Sequence, residues 1–448
     1  MISLFPHKKK KKAPAFKKQK MKAYRPYRMR GREVFWLIPL ALVIGFGSVI
    51  GFFAGEEIRH SKFQSEYFSE MASKITFKKE AGTDPDFYVP ETGPYNQRLG
   101  YSYLPFFIKV LQEEGYDVTH QMRASNEYKK LIHEGIYPIY RPKATAGLLI
   151  KARGKTKLYR ACFPSHVFPD FDSIPPLLID TLLFIENREL LRPGKTTRNP
   201  VIEWDRFAYA AFGQALKYFV PSVNLGGGST LATQIEKFRF SPDGQTGSPI
   251  EKLRQIISGS LRVYIDGPDT RAARHKIILD YLNNTPLSAR SGFGEINSLG
   301  DGLWVWFGRR LKEVKVGLNL PESDPASLRR KAKIYREVLG LILAQRRPTY
   351  YLHQHRDALE KLINRMLYTL RDQHVVSYAL FKEMQGTKLH FLSHAPPFQQ
   401  MAFLDHKASN AMRRHLLSML GLHDLYELDR LDLIATSTLD AKAQRKVS

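Results

Sequence analysis

One long uncharged stretch constrains this chain more than any other feature. Residues 35–55 (FWLIPLALVIGFGSVIGFFAG) are 21 residues without a charge, enough to cross a hydrocarbon core of ~30 Å at ~1.5 Å per helical residue. They follow a basic head, residues 1–34, in which nine lysines and four arginines stand against one acid. Because cationic flanks stay on the cytoplasmic side of a membrane, this pattern predicts one transmembrane helix at 35–55 with the N-terminus in the cytoplasm.

Two other interpretations of the N-terminal region are open. A lysine run such as residues 8–12 is also typical of nucleic-acid binding, but the apolar stretch after it favours a membrane flank and no nucleic-acid partner. A cleaved signal peptide would have a shorter apolar segment, which favours a permanent anchor. The single cysteine, Cys162, allows no intramolecular disulfide and no cysteine-based metal site, as expected for an exported protein that depends on its core.

Beyond residue 55 the patterns predict a polar stalk and a small α/β module at 56–165, followed by a mainly helical region. Within the module, residues 103–114 are typical of a helix, and short strands are predicted at 138–140, 146–151 and 157–161. Apolar residues at helical spacing then predict amphipathic helices at 174–191, 229–240, 250–264, 271–283, 326–345, 355–371 and 408–419. Residues 431–438 alternate like a strand.

A glycine turn opens one of these helices, in the sequence GGGSTLATQIEKF that begins at residue 226. Such a start exposes free backbone N–H groups and the positive end of the helix dipole, which suits phosphate. Thr230, Gln234 and Lys237 share one helix face, and Leu231, Ile235 and Phe238 on the neighbouring face are expected to anchor the helix in the core. We therefore predict a pyrophosphate site, although the spacing of a P-loop is absent and a loop that caps an ordinary helix is the alternative.

Three further helices carry candidate groups. Glu186, in FIENREL, follows Phe184 and Ile185, which could partly desolvate the carboxylate and favour its use as a base; pairing with Arg188 or Arg192 is the structural alternative. In helix 250–264 the predicted inward side chains are Leu253, Ile256, Ile257, Ser260, Leu261 and Tyr264, and the predicted polar side consists of Lys252, Gln255 and Arg262. In helix 271–283 one face is shared by Lys276, Asp280 and Asn283. We favour a structural role for this face.

Taken in order, these segments resemble the family 51 glycosyltransferases, the polymerase modules of class A penicillin-binding proteins. That family has a helix ending in Glu-Asp, a GGST…QxxK segment, an Arg-Lys-x-x-Glu helix, an ILExYLN helix and a Gly-rich stretch ending in Phe-Gly. The equivalents here are Glu186-Asn187 and residues 227–237, 251–255, 277–283 and 292–308. Residues 341–351 (LILAQRRPTYY) resemble the closing LAGLPQAPSxY motif, so the resemblance covers about 170–390.

The resemblance implies a mainly α-helical, lysozyme-like glycosyltransferase domain at 166–390. Residues 391–448 form a linker, in which LIATSTLDAKAQ (433–444) resembles the first strand of a transpeptidase module, although the chain contains no S-x-x-K. We expect the natural protein to continue into such a module. The implied location is the bacterial inner membrane, with the catalytic domain on the periplasmic side and with other cell-wall synthesis proteins as further partners.

The resemblance also implies a mechanism. Glu186 would deprotonate the 4-hydroxyl of a lipid-linked disaccharide–peptide (lipid II), and that oxygen would attack the anomeric carbon of the nascent glycan strand, expelling undecaprenyl pyrophosphate with inversion. Gln255 occupies the second catalytic position. The implied substrate-binding residues are Gly228, Ser229, Thr230, Gln234, Lys237, Lys252 and Asn283. No cofactor is certain, but Mg²⁺ or Mn²⁺ could assist at the pyrophosphate, for which no dedicated set of metal ligands is visible.

Several positions depart from the family pattern. Asn187 replaces an Asp, Thr233 replaces a Gln, and Leu190 and Pro193 stand where a Phe and a His are usual. Most consequential, Glu251 stands where an Arg is expected and Gln255 where a Glu is expected, since Gln is neither an anion nor an acid at neutral pH. Glu295 is a candidate replacement carboxylate. Two alternatives follow: a weak or inactive member that serves as a scaffold for wall synthesis, and a lysozyme-like enzyme that cleaves finished glycan with two carboxylates.

Overall fold

The computed structural model describes residues 31–153, 156–192, 194, 196–204, 229–396 and 406–440. The chain forms two compact units, Met1–Gly55 and Glu56–Ser448. Helix α1, Gly31–His60, supplies the described part of the first unit, and its large apolar side chains between Leu42 and Phe53 are exposed. Within the described ranges we find no helix with both the length and the apolar character that crossing a membrane requires. The predicted span at 35–55 therefore stays a prediction.

The second unit is mainly helical, as predicted. Its helices in chain order are α2 Lys62–Ser73, α3 Pro94–Arg98, α4 Leu104–Glu113, α5 Asn126–His133, α6 Pro176–Glu186, α7 Leu231–Phe240, α8 Pro249–Val263, α9 Arg271–Asn284, α10 Leu299–Phe307, α11 Leu311–Leu318, α12 Pro325–Ala344, α13 Arg356–Asp372, α14 Tyr378–Gln385, α15 His406–Met419 and α16 Leu425–Arg430. A π-helical turn, Tyr350–Gln354, connects α12 to α13.

The described short strands form three small sheets. Strand β1, Phe77–Ala81, pairs antiparallel with β2, His120–Ala124. Strand β3, Leu148–Lys151, pairs antiparallel with β4, Lys157–Arg160, and parallel with the C-terminal β7, Leu433–Thr436. Strands β5, Ala289–Arg290, and β6, Gly294–Glu295, form a small hairpin. The predicted α/β module and the C-terminal segment therefore share one sheet, and the predicted borders at 165 and 390 fall inside one compact unit.

Helix α12 is at the centre of the helical core. The Asp324 side chain accepts a hydrogen bond from Ser327 N and caps the helix, and the second half of α12, from Ile334 to Ala344, is buried throughout. Helix α10 packs closely on its neighbours through glycines, because a Cβ on Gly300 would lie 2.1 Å from the His166 carbonyl oxygen, and one on Gly302 would lie 2.5 Å from Leu287 and 3.1 Å from Leu341 of α12. The Gly-rich motif thus has a packing role.

The structure confirms the predicted helices, with differences at some ends and faces. Helix α6 ends at Glu186 instead of 191, because the chain turns at Asn187. The strand predicted at 138–140 is wrong, since these residues form no strand. The predicted stalk contains α2, whose Phe68 stacks on Tyr264. Leu253, predicted to face inwards, is 56% exposed, because α8 packs through its C-terminal half.

Candidate active site

Glu186 is the last residue of α6, and the local sequence explains its position. Pro176 occupies the first turn of the helix, where proline is tolerated, and Leu178 and Leu182 are fully buried. This packing brings the C-terminal end of α6 into the core, and Glu186 is only 5% exposed. A carboxylate at such depth needs polar partners from the protein.

Asn187 joins the end of α6 to the start of α7. Its side-chain amide nitrogen donates a hydrogen bond to the Glu203 carboxylate, and its amide oxygen accepts one from Leu231 N at 3.2 Å. An aspartate would repel Glu203 in this position, whereas the amide satisfies both neighbours. Asn187, which stands where the family has an Asp, therefore fits its surroundings.

The glycine turn itself, Gly226–Gly228, lies outside the described residues. At its end, Thr230 is fully buried and forms a reciprocal capping box with Thr233 at the start of α7. The Thr230 hydroxyl also donates to the Val201 carbonyl oxygen at 2.8 Å. Substrate contact by Thr230, as predicted, does not fit this arrangement, because the hydroxyl is used to hold the helix.

A cleft of about 790 Å³ opens beside Glu186, and we call it the Glu186 cleft. Of the predicted site residues, it brings together Glu186, Ser229, Gln234 and Lys237. Its other walls come from α3, α7, the segment 243–246, the end of α9 and the end of α12. These walls are formed by Tyr95, Ile235, Phe238, Arg239, Asp243, Gly244, Gln245, Thr246, Tyr281, Asn284, Thr285, Pro286, Gln345 and Arg346.

Glu186 is held by two side chains from opposite directions. Gln234 Nε2 donates to one carboxylate oxygen at 3.1 Å, and Arg346 Nη2 donates to the other at 3.0 Å. The pairing predicted as the structural alternative is not formed, since Arg188 stacks on Phe184 and Arg192 pairs with Glu189. The Arg346 side chain is 65% exposed, so the ion pair lies at the mouth of the cleft.

Tyr281 extends this network deeper into the protein. Its hydroxyl lies 3.3 Å from Gln234 Oε1 and 2.5 Å from Gln345 Oε1, and its one proton is shared between these two amide oxygens. Burial raises the pKa of Tyr281 well above its ordinary value, and the negative charge of Glu186 adds to the effect. Tyr281 is therefore a permanent donor, and it fixes the Gln234 amide in the orientation that offers N–H to Glu186.

A second part of the cleft is cationic. Lys237 lines the cleft, and Lys252, on α8, lies behind the lining residue Ser229 and donates from Nζ to Ser229 Oγ at 3.1 Å. Burial, with the positive charge of Lys237 as a second cause, lowers the pKa of Lys252 to about 8. Two ammonium groups that disfavour each other would be stabilised by an anion between them.

Gln255 lies behind this wall and does not line the cleft. It is fully buried, and its Nε2 donates to Ser241 Oγ at 3.0 Å and to Thr246 Oγ1 at 2.9 Å. Its Oε1 lies 3.5 Å from Lys252 Nζ. The predicted catalytic role is therefore corrected: Gln255 supports Lys252 and the 241–246 segment, and it does not meet a ligand in the cleft.

Asn283 faces away from the cleft. Its side chain forms a double hydrogen bond with the backbone of Phe168, accepting from N at 2.9 Å and donating to O at 2.8 Å. The predicted substrate contact is therefore corrected, and the adjacent Asn284 is the residue that lines the cleft. Lys276 and Asp280, predicted on the same face, pair at 3.0 Å, while Asp280 also holds the buried Arg239 at 3.2 Å. These contacts agree with the structural role favoured for this face.

The sequence did not single out Tyr281, Gln345 and Arg346. Tyr281 stands within the ILDYLNN motif, and the other two stand before Pro348 in the closing motif, so the motifs themselves contained the signal. For a divalent cation, the described part of the chain has no group of three or more His, Cys, Asp or Glu side chains that could hold one. The carboxylates that line the cleft are Glu186 and Asp243, so the cation stays a prediction.

The fold and the cleft define a helical domain with a buried carboxylate in a cleft that Lys237 also lines, the arrangement that the resemblance implied. The family model described as Transglycosylase matches residues 161–372. The match supports a family 51 glycosyltransferase module at these residues. A comparison with curated proteins found no match.

Proposed function

We propose that the protein polymerises lipid II into glycan strands and releases undecaprenyl pyrophosphate with inversion at the anomeric carbon. The observation that carries this proposal is the buried Glu186 carboxylate, held by Gln234 in a cleft that is also lined by Lys237 and by Ser229, with Lys252 behind Ser229. A base and an anion site in one cleft are the two requirements of transfer from a lipid pyrophosphate.

Glu186 acts first in the proposed reaction. Its carboxylate takes the proton of the sugar 4-hydroxyl while that oxygen forms a bond to the anomeric carbon of the growing strand. The bond from this carbon to the pyrophosphate oxygen breaks, and the electron pair leaves with the pyrophosphate. General-base assistance of this kind contributes ~10²–10⁴ in rate. Arg346 must release Glu186 for the hydroxyl to reach the carboxylate, and its exposure allows it to move.

Lys237 and Ser229 receive the leaving pyrophosphate, and the Lys252 ammonium group turns towards it from its position behind Ser229. Each charge-assisted hydrogen bond contributes ~1.5–3 kcal/mol, and the anion relieves the repulsion between the two lysines. Mg²⁺ or Mn²⁺ bound to the pyrophosphate would supply further positive charge. Because Gln255 cannot protonate the leaving group, we infer that neutralisation by lysine replaces an acid in this protein.

The hydrolase alternative retains one specific observation in its favour. Asp243 lines the same cleft as Glu186, and glycan-cleaving enzymes use two carboxylates. A hydrolase has no need of paired lysines, which favours transfer. Incubation with lipid II and, separately, with finished glycan distinguishes the two, because the first reaction yields polymer and the second yields fragments.

The decisive experiment incubates the detergent-solubilised protein with lipid II and separates glycan ladders on a gel. We expect the Glu186→Gln variant to lose ~10²-fold or more of the polymerisation rate. A matched control is Glu134→Gln, since Glu134 is 57% exposed at the end of α5 and pairs only loosely with Lys130 at 3.9 Å. An unchanged rate in Glu186→Gln means that another group is the base, and a parent protein that makes no polymer refutes the proposed function and favours the scaffold alternative.

The proposed location is the bacterial inner membrane, with the N-terminus in the cytoplasm and the catalytic domain in the periplasm. The basic residues 1–34 and the uncharged residues 35–55 support it. The proposed partners are lipid II, the nascent glycan strand, the membrane and other cell-wall synthesis proteins, with no nucleic acid. Protease treatment of spheroplasts tests the topology: the 56–448 region should be digested from outside, and its protection would contradict the proposal.

A further inference from the structure

A second cavity, which we call the outer groove, continues from the Glu186 cleft. The two cavities share four lining residues: Phe238, Asp243, Gly244 and Pro286. The outer groove has a volume of about 1240 Å³, larger than the ~300–1,000 Å³ of a site for one small molecule. Its size and its connection to the cleft indicate an extended ligand that is already engaged at Glu186.

The walls of the outer groove come largely from outside the matched residues 161–372. The N-terminal module contributes α3, α4 and the turn between them, and the C-terminal segment contributes residues 421–431. Residues 238–244, the 286–297 loop and the 348–349 segment form the remainder. The lining side chains include Arg98, Tyr103, Phe106, Ala289, Glu295 and Tyr426. The groove is therefore a feature of the whole second unit rather than of the family module alone.

Several contacts hold the N-terminal and C-terminal walls together. Strand β3 pairs with β7, and Asp432, just before β7, accepts a hydrogen bond from Tyr101 Oη at 2.7 Å and pairs with Lys143 at 2.7 Å. Asp432 N also donates to the Leu99 carbonyl oxygen at 3.0 Å. Such a framework keeps the groove open at a fixed width.

Tyr426 is fixed on the β5–β6 hairpin by close packing. A Cβ on Gly294 would lie 2.4 Å from the Tyr426 ring, so this approach requires glycine. Glu295 N donates to Tyr426 Oη at 2.9 Å, and the Arg430 guanidinium lies 3.4 Å from the ring centroid. The tyrosine is thereby held in place at the groove wall, still 37% exposed.

The exposed chemistry of the groove suits a carbohydrate. Tyr103 and Phe106 are each 50% exposed, and they provide flat apolar faces for the C–H side of sugar rings. Arg98, Glu295 and Asn297 line the same groove and provide donors and acceptors for ring hydroxyl groups. An acyl chain would find too many polar groups here, and the mixture of acids and bases gives no preference for a polyanion.

We propose that the outer groove binds the nascent glycan strand beyond the residues that react at Glu186, and so sets how far the enzyme extends one strand before release. This inference rests on the proposed function, since the strand must originate in the Glu186 cleft. It assigns a substrate-guiding role to the N-terminal module and to residues 421–431, neither of which carries catalytic groups.

Two variants test the groove and one matched variant controls for the loss of a surface aromatic ring. Tyr103→Ala removes an aromatic face, and Ala289→Trp fills the groove from the exposed hairpin position. Tyr378→Ala is the control, because Tyr378 is 68% exposed on α14 and lines neither cavity. Each variant is made in the full chain, and its thermal unfolding is compared with that of the parent so that misfolded protein is not scored.

The first readout is binding, measured by calorimetry with a defined octasaccharide and with the disaccharide of the N-acetylglucosamine–N-acetylmuramic acid polymer, using Glu186→Gln protein to prevent turnover. We expect Tyr103→Ala and Ala289→Trp to weaken octasaccharide binding at least tenfold and to leave disaccharide binding within twofold. Equal affinity of parent and both variants for the octasaccharide would overturn the inference. An equal loss of affinity for the octasaccharide and the disaccharide would place the effect in the Glu186 cleft, and this result would also overturn the inference.

The second readout is the length of the glycan made from lipid II by protein with Glu186 intact. Both groove variants should give shorter strands at a nearly unchanged rate of first coupling, while Tyr378→Ala should match the parent. If the parent polymerises and the groove variants make strands of parental length, the outer groove has no such role and the proposed function stands. If the parent makes no polymer, the proposed function itself fails, and the octasaccharide measurement then shows whether the groove binds glycan at all.

Discussion

Two groups of residues at the Glu186 cleft, which we call the acid wall and the basic wall, differ in how they are held. On the acid wall, Gln234 holds Glu186 and is itself oriented by Tyr281, so the carboxylate is fixed before any substrate arrives. On the basic wall, Lys252 donates to the neutral Ser229, and Lys237 opposes its charge. The comparison indicates that one wall is preorganised for proton transfer, whereas the other becomes favourable only when an anion binds.

The largest effect expected from breaking the basic wall comes from Lys252→Ala. Removing one charge-assisted hydrogen bond to the pyrophosphate, ~1.5–3 kcal/mol, should lower kcat/KM with lipid II by ~10–100-fold. Lys130→Ala, at a lysine that is 77% exposed on α5, is the control. A Lys252→Ala enzyme with parental kcat/KM would show that the basic wall does not meet the pyrophosphate.

The fall of kcat/KM at alkaline pH, the alkaline limb of the pH profile, tests the basic wall in a second way. Because the pKa of Lys252 is lowered to about 8, the ammonium loses its proton above that pH in the free protein, and kcat/KM should fall as pH rises through about 8. Gln255→Glu would place a carboxylate beside Lys252, where Gln255 Oε1 now lies 3.5 Å away. An opposite charge at this distance favours the protonated lysine, so the limb should move to higher pH by ~1 unit or more.

Gln112→Glu, on the exposed side of α4, serves as the control for added negative charge and should leave the limb in place. The stability consequence has the opposite sign to the activity. Since the folded protein releases the Lys252 proton at a lower pH than the unfolded chain, stability should rise between pH 8 and the ordinary range of a lysine. An alkaline limb that is the same in the parent and in Gln255→Glu would mean that another group controls the loss of activity.

The sequence predicted the parts of this cleft that lie within one helix. Periodic apolar residues located α12 at 326–345, close to the observed Pro325–Ala344, and placed Glu186 and Lys237 on helices that the core must orient. It did not predict which of two adjacent asparagines faces the cleft. One residue turns a helix by ~100°, so an error of that size exchanges Asn283, bound to Phe168, for Asn284.

The tertiary contacts were not predictable from periodicity. Arg346 reaches Glu186 across 160 positions of the chain, and Tyr281 and Gln345 come from different helices. The parallel pairing of β7 with β3 likewise joins segments that the sequence placed in separate modules. A short strand has no local property that identifies its partner, which is why the outer groove could not be seen before the fold was known.

The smallest expected effect concerns Arg346, and it tests whether the contact of Arg346 with Glu186 slows the reaction. Arg346 donates to Glu186 at 3.0 Å, and its side chain is 65% exposed whereas that of Glu186 is 6% exposed, so solvent screens the arginine end of the pair. If this contact only has to be broken before Glu186 accepts a proton, Arg346→Gln should raise kcat by ~2–5-fold, with KM unchanged. Arg188→Gln, which changes an arginine that stacks on Phe184 near the same helix end, should have no effect on kcat. A loss of tenfold or more in Arg346→Gln would reverse this interpretation, because it would mean that the guanidinium transfers from Glu186 to the substrate and belongs with the lysines of the opposite wall.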